Sequence, residues 1–255
     1  MLPRKKNSSC GLCPKSEFLF LVELWKCLHR DTSILLNWEG AIFDWDGVIV
    51  DSSDLHKKSW EALASELLLP LPPDHFEKGF GKRNETIIPK ILKWTQDRSE
   101  VEAWGKRKEE IYREMAKING IKLAPGAVDF LTKTNAIGIN CAIGTSTERK
   151  NIELAIEEHG LSDFFQGAAC SEDVKKGKPD PEVFLKAAHI LSIESERCII
   201  FEDSPHGVEA GIKAGMKTIA LTTSHPSNAF MHLKPDLIVN SLAGVEPESL
   251  ISLFE

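Results

Sequence analysis

The sequence predicts an α/β fold: a doubly wound parallel sheet with an α-helical insertion after its first strand. Three observations predict it. Short, almost wholly apolar runs recur at Ala41–Phe43, Ile139–Ile143, Cys198–Phe201, Thr218–Leu221 and Leu237–Val239. Strands covered by helices on both faces look like this, because neither face meets water. Helical patterns separate the later runs, the alternation that builds a parallel sheet. Residues 53–120, in contrast, carry no strand pattern at all.

Each element follows from its own residues. Leu55, Trp60, Leu63, Ala64, Leu67 and Leu68 form one helical stripe, broken by Pro70-Leu71-Pro72-Pro73. A second inserted helix is expected over Glu85–Trp94. A third starts at Ser99, with Ser99 and Glu102 as a capping box, and runs through Val101, Trp104, Ile111, Met115 and Ile118. Beyond the insertion, Val128 and Leu131 follow the Pro125-Gly126 turn. Ile152, Ala155 and Ile156 mark the next helix, and Val183, Phe184, Ala187 and Leu191 the one after. A last helix over Ser204–Ala214 carries Val208 and Ile212 and ends at Gly215. The organisation expected is an N-terminal extension (1–39), a core (40–52 with 121–255) and a helical cap (53–120).

Composition narrows the function. With 31 Lys+Arg against 38 Asp+Glu the net charge is −7, the wrong sign for gripping a nucleic-acid backbone. No run approaches the ~20 apolar residues of a membrane span. The chain is expected to be a cytoplasmic monomer that binds neither nucleic acid nor membrane, and organelle targeting by residues 1–39 stays open. Within that extension Glu23 interrupts the apolar Phe18–Val22 run, so a signal peptide is disfavoured and a short amphipathic helix near 16–29 expected. Cys10, Cys13 and Cys27 with His29 read as plain thiols and an imidazole rather than a zinc site, since only one CxxC is present. Cys141, Cys170 and Cys198 sit in apolar surroundings, as buried free thiols do.

The chemistry is expected at the carboxyl ends of the strands, where open parallel sheets bind ligands. Asp44 and Asp46 follow the first apolar run, Thr145 and Ser146 the second, and Glu202 and Asp203 the third. Taken singly, these are ordinary turn and helix-cap residues. Delivered together, four carboxylates repel one another unless a cation sits among them, and an all-oxygen donor set suits Mg²⁺. Lys178, in Lys176-Gly177-Lys178-Pro179, can add a fixed positive charge beside a phosphate.

Phe43-Asp44-Trp45-Asp46-Gly47-Val48-Ile49-Val50-Asp51-Ser52 resembles the first motif of the haloacid dehalogenase-like superfamily. Thr145, Lys178 with its following Pro, and Glu202-Asp203 before Ser204-Pro205-His206-Gly207 are similar to its second, third and fourth motifs. The resemblance covers about residues 40–245, and the position of the insertion matches that superfamily's helical cap. The wording is closest to the β-phosphoglucomutase-like phosphatase branch.

The resemblance implies roles. Asp44 is the expected nucleophile, forming an aspartyl-phosphate, and Asp46 the general acid/base, its pKa raised by a neighbouring carboxylate. Mg²⁺ is expected on Asp44, the Asp46 carbonyl, Glu202 and Asp203. Thr145 and Lys178 are expected to meet the transferring phosphoryl group, with Ser146, His56, Lys82 and Arg83 contacting substrate. Asp46 itself favours phosphate esters, because members that cleave carbon–halogen bonds lack that second Asp. Mutases of the branch carry Gly-x-x-Arg in a cap loop, whereas Gly81-Lys82-Arg83-Asn84 breaks the pattern. A phosphatase for a small phosphorylated metabolite is therefore favoured over a β-phosphoglucomutase-like phosphomutase. A non-catalytic binding module on the same fold is the third reading, disfavoured because a scaffold needs no acid/base.

Overall fold

A computed structural model describes residues 37–255. The helix expected at 16–29 and the Cys10, Cys13, Cys27 and His29 group lie outside the described residues.

Six parallel strands make the central sheet: β1 (Gly40–Phe43), β4 (Asn140–Gly144), β5 (Ala168–Ala169), β6 (Cys198–Glu202), β7 (Lys217–Leu221) and β8 (Leu237–Val239). Their order is β5-β4-β1-β6-β7-β8, with β1 pairing β4 on one side and β6 on the other. The apolar runs mark five of these strands to within a residue at each end. The edge strand β5 is two residues long, too short to show as a run. Side chains alternate through the sheet. Phe43 stacks on Phe201 at 4.7 Å between ring centroids, with Phe130 edge-on to Phe201, while Ile42, Ala142, Ile200 and Phe184 fill the opposite face.

The core helices are α5 (Ala127–Ala136), α6 (Arg149–His159), α7 (Glu182–Leu191) and α8 (Pro205–Lys213). Ser204 caps α8 by accepting from Gly207 N, Pro205 opens it, and Gly215 follows its last residues at φ 75°. A two-stranded antiparallel ribbon, β2 (Val50–Asp51) with β3 (Lys122–Leu123), joins the core to the inserted helices. It escapes the sequence because two residues cannot establish an alternation.

The insertion holds α1 (Ser53–Leu67), α2 (His75–Gly79), α3 (Asn84–Thr86) and α4 (Arg98–Asn119). Its own core is Trp60, Leu63, Ile87, Ile88, Leu92, Val101 and Ile111. Three expectations need correction. The helix expected over Glu85–Trp94 is α3 running into a π-helical stretch at Ile87–Leu92, because Pro89 lacks an N–H and crowds the preceding turn. The cap of α4 is Asp97 rather than Ser99: its carboxylate accepts from Ser99 N and Glu100 N. Ile118 and Leu68, expected on apolar stripes, are 83% and 91% exposed, each at or past the end of its helix.

Candidate active site

β1, β4 and β6 deliver their terminal residues to one edge, and those residues are buried. Carboxylate oxygens of Asp44, Glu202 and Asp203 lie within 4.8 Å of one another. Lys178 Nζ stands 2.8 Å from Glu202 Oε2 and 3.0 Å from Asp44 Oδ1, the second contact being an attraction not directed as a hydrogen bond. Burial pushes Asp44 up to about 7, with Glu202 and Asp46 adding to the rise and Lys178 opposing it. Burial raises Asp203 well above the usual carboxylate range too, reinforced by Glu202 and Asp44. Glu202 moves the other way. Burial acts against its charge, but Lys178 and the hydrogen bonds from Ser204 N and Oγ (2.9 and 2.8 Å) outweigh it. Lys178 stays charged for the reciprocal reason: Asp44 and Glu202 outweigh its burial.

Two glycines make the crowding possible. Gly47 adopts φ +77°, and a Cβ there would lie 1.8 Å from Asp203 Oδ2; a Cβ on Gly207 would lie 1.9 Å from Glu202 Oε2. Ser224 Oγ donates to Asp203 Oδ2, and His225 Nδ1 lies 3.1 Å from the Asp203 carbonyl.

Asp46 occupies different surroundings. Ser52 Oγ and His56 Nε2 (3.2 Å) meet its Oδ1, and Thr147 Oγ1 donates to Oδ2. Lys108 Nζ lies 2.6 Å from His56 Nδ1; as an ammonium it can only donate, which leaves the ring proton on Nε2, facing Asp46. Burial alone would raise Asp46, but His56, Ser52 and Thr147 hold it well below the usual range. The raised pKa expected from a neighbouring carboxylate is thus not found, because His56, Ser52 and Thr147 outweigh burial.

A small cavity of about 80 Å³ opens over Asp46. Its walls include His56, Trp60, Phe80, Lys82, Arg83 and Ser146. Lys82 and Arg83 line it, where substrate contacts are expected, and Arg83 Nε is buried with no hydrogen-bond partner among the described residues. Lys82 Nζ donates to Lys78 O at 2.6 Å, and the Arg83 guanidinium donates to Val174 O at 3.3 Å and Glu85 at 3.1 Å. Thr145 is buried one residue beyond β4, its Oγ1 accepting from Thr147 N.

Several residues here were not visible in advance. Ser52 and Thr147 are plain hydroxyls in the sequence. Lys108 left a trace: it falls between Trp104 and Ile111 on the apolar stripe of α4, an odd place for a charge. It is 2% exposed, paired at 2.9 Å with Glu109, which in turn accepts from Asn84 of the cap and Asn151 of α6 at 2.8 and 2.7 Å.

The comparisons agree with this geometry. A family model described as haloacid dehalogenase-like hydrolase matches residues 41–221. A chloroplastic 5-amino-6-(5-phospho-D-ribitylamino)uracil phosphatase from Arabidopsis thaliana is 37% identical over 202 residues, covering 78% of this chain. This chain spans only 54% of that relative's length. A phosphorylated carbohydrates phosphatase from Thermotoga maritima is 28% identical over 221 residues, covering 85% of this chain and 98% of the relative. The crystal structure of a HAD hydrolase, family IA, variant 3, from Entamoeba histolytica superposes with a TM-score of 0.77 at 26% identity, covering 85% of this chain and 99% of that one. With the sheet order, the acidic strand edge and the matched span in agreement, the chain belongs to the haloacid dehalogenase-like hydrolase family.

Proposed function

We propose that the protein is a Mg²⁺-dependent phosphomonoesterase acting on a small phosphorylated metabolite through an aspartyl-phosphate on Asp44. One observation carries this: two buried aspartates two residues apart have opposite surroundings. Asp44 lies against an ammonium and two further carboxylates, and Asp46 lies against three hydrogen-bond donors at the floor of a cavity. Such separation of pKa values assigns different jobs to like groups.

The buried carboxylates fit Mg²⁺. Asp44, Glu202 and Asp203 offer only hard oxygens, and Lys178 alone does not balance them. Asp44, Asp203 and the Asp46 carbonyl would hold the ion. Glu202, its oxygens already taken by Lys178, Ser204 and Asp203 N, would assist at a distance. Bound there, Mg²⁺ would neutralise charge on the transferring phosphoryl group.

The remaining steps belong to the chain. An Asp44 oxygen bonds to phosphorus as the ester P–O bond breaks, and the departing oxygen takes a proton through Asp46. Because Asp46 rests ionised, that proton arrives with the substrate: a phosphomonoester has a second pKa of about 6, so its monoanion carries one. Asp46 next takes a proton from water, whose oxygen attacks phosphorus and returns Asp44 as a carboxylate. Lys178 holds Asp44, and Thr145 and Ser146 present hydroxyls to the phosphoryl oxygens. Lys108 keeps the His56 proton turned to Asp46. The buried free thiols of Cys141, Cys170 and Cys198 suit a reducing compartment such as the cytoplasm.

A phosphomutase needs a cation to hold a second phosphate, and Arg83 stands one place off the Gly-x-x-Arg position, with its guanidinium donating to Val174 O and Glu85. The expected result is release of inorganic phosphate from hexose phosphates and p-nitrophenyl phosphate without a bisphosphate activator, abolished by EDTA and restored by Mg²⁺. Isomerised hexose phosphate with little free phosphate, followed by NMR, would replace this reading with a mutase.

A further inference from the structure

His75 has no part in the chemistry above, and its surroundings are unusual. It opens α2, is 5% exposed, and lines the cavity over Asp46. Its Nδ1 lies 2.7 Å from the Pro72 carbonyl, which also accepts from the His75 backbone N–H at 3.0 Å. A carbonyl only accepts, so Nδ1 carries the ring proton and Nε2 presents a lone pair. That nitrogen is buried and has no hydrogen-bond partner among the described residues.

Buried polar atoms are nearly always partnered, and one left alone bears the whole cost of its lost hydration. Pro72 removes the easy escape, since turning the ring over would give up the Nδ1 bond. Apolar rings pack beside it: Phe76 lies edge-on at 6.4 Å from His75, Phe76 and Phe80 pack at 4.9 Å, and Trp60 lines the same cavity. A buried acceptor held without a partner selects for a donor, because a ligand lacking one leaves it unsatisfied.

We propose that His75 is a specificity-determining residue for the leaving group. Its Nε2 accepts a hydrogen bond from a hydroxyl or N–H on the non-phosphate part of the substrate, so the enzyme prefers phosphomonoesters bearing such a donor. This rests on the phosphomonoesterase reading and goes beyond it by naming the feature of the alcohol that is recognised.

The test compares wild type with His75→Phe, which has no acceptor, and His75→Gln, which restores one. The probes are p-nitrophenyl phosphate, with no donor, p-aminophenyl phosphate, with an N–H donor, and ribose 5-phosphate and glucose 6-phosphate, with hydroxyls. The readout is kcat/KM for each donor ester divided by that for p-nitrophenyl phosphate, which cancels any general damage. His75→Phe is expected to lower this ratio about tenfold for at least one donor ester, with His75→Gln recovering much of it. A loss confined to p-aminophenyl phosphate identifies an N–H, and one confined to the sugar phosphates a hydroxyl. Equal losses on all four esters, or a Gln variant that behaves like Phe, would overturn the proposal. Wild-type protein that releases no phosphate from any of the esters would overturn the phosphomonoesterase reading beneath it.

Discussion

Removing Mg²⁺ should make folding stability depend on pH through Asp44, and Asp44→Asn isolates the effect. Burial and neighbouring carboxylates raise Asp44 from 3.8 to about 7, a value that includes the pull of Lys178. Between those limits the folded protein binds a proton that the unfolded chain does not. The stabilisation is therefore fully present below about pH 4 and is lost as pH rises through 7. At about 1.4 kcal/mol per pH unit the loss comes to about 4 kcal/mol. Asn carries no charge at any pH, so in EDTA the variant should match wild type near pH 4 and exceed its stability by up to about 4 kcal/mol at pH 8. Saturating Mg²⁺ should close the gap by stabilising the ionised wild-type site. Urea unfolding at pH 4.5, 6 and 8, with EDTA and with Mg²⁺, measures each arm. An Asn variant no more stable than wild type at pH 8 in EDTA would refute both the desolvation of Asp44 and its part in a cation site.

Other substitutions probe neighbouring groups. Lys178→Met strands Asp44 and Glu202 without their counter-charge, so urea unfolding in EDTA should show a loss of about 3–5 kcal/mol that added Mg²⁺ partly recovers. Gly47→Ala sets a methyl 1.8 Å from Asp203 Oδ2; calorimetric titration should show Mg²⁺ affinity reduced about 10–100-fold, and wild-type affinity would count against Asp203 as a ligand. Asp46→Asn should lower kcat by about 10²–10⁴ in steady-state assays with the fold retained, and Lys108→Met, one partner further out, should lower it less.

What the sequence made legible follows physical range. β1, β4 and β6 declare themselves because a strand covered on both faces is apolar throughout, and their acidic ends stand out by contrast. Asp44, Glu202, Asp203 and Lys178 could be grouped because the parallel sheet sets its carboxyl ends in one row. The environment of Asp46 could not. It depends on Ser52 six residues on, His56 and Lys108 from two cap helices and Thr147 after β4, and no local pattern announces such a meeting. His75 was hidden likewise: a histidine beside Pro72-Pro73-Asp74 reads as a loop residue until burial and the Pro72 carbonyl assign its tautomer. Arg83 lines the cavity, and its contact with the Val174 carbonyl, 91 residues away, is likewise nothing a local pattern shows.

The β2–β3 ribbon has a consequence for how such a chain diversifies. Residue 51 pairs with 122, so everything between leaves and re-enters the sheet-bearing unit at adjacent points. A segment with neighbouring ends can be exchanged for another of different length without moving the flanking chain, as tolerated domain insertions show. The strands that carry Asp44, Thr145 and Glu202 all lie outside that segment, whereas Trp60, His75 and Phe80 lie within it. A transplant spanning residues 52–121 would carry Trp60, His75 and Phe80 together, and with them Ser52 and His56, partners of Asp46, and Lys108, which meets His56, while Asp44, Thr145 and Glu202 stay in place.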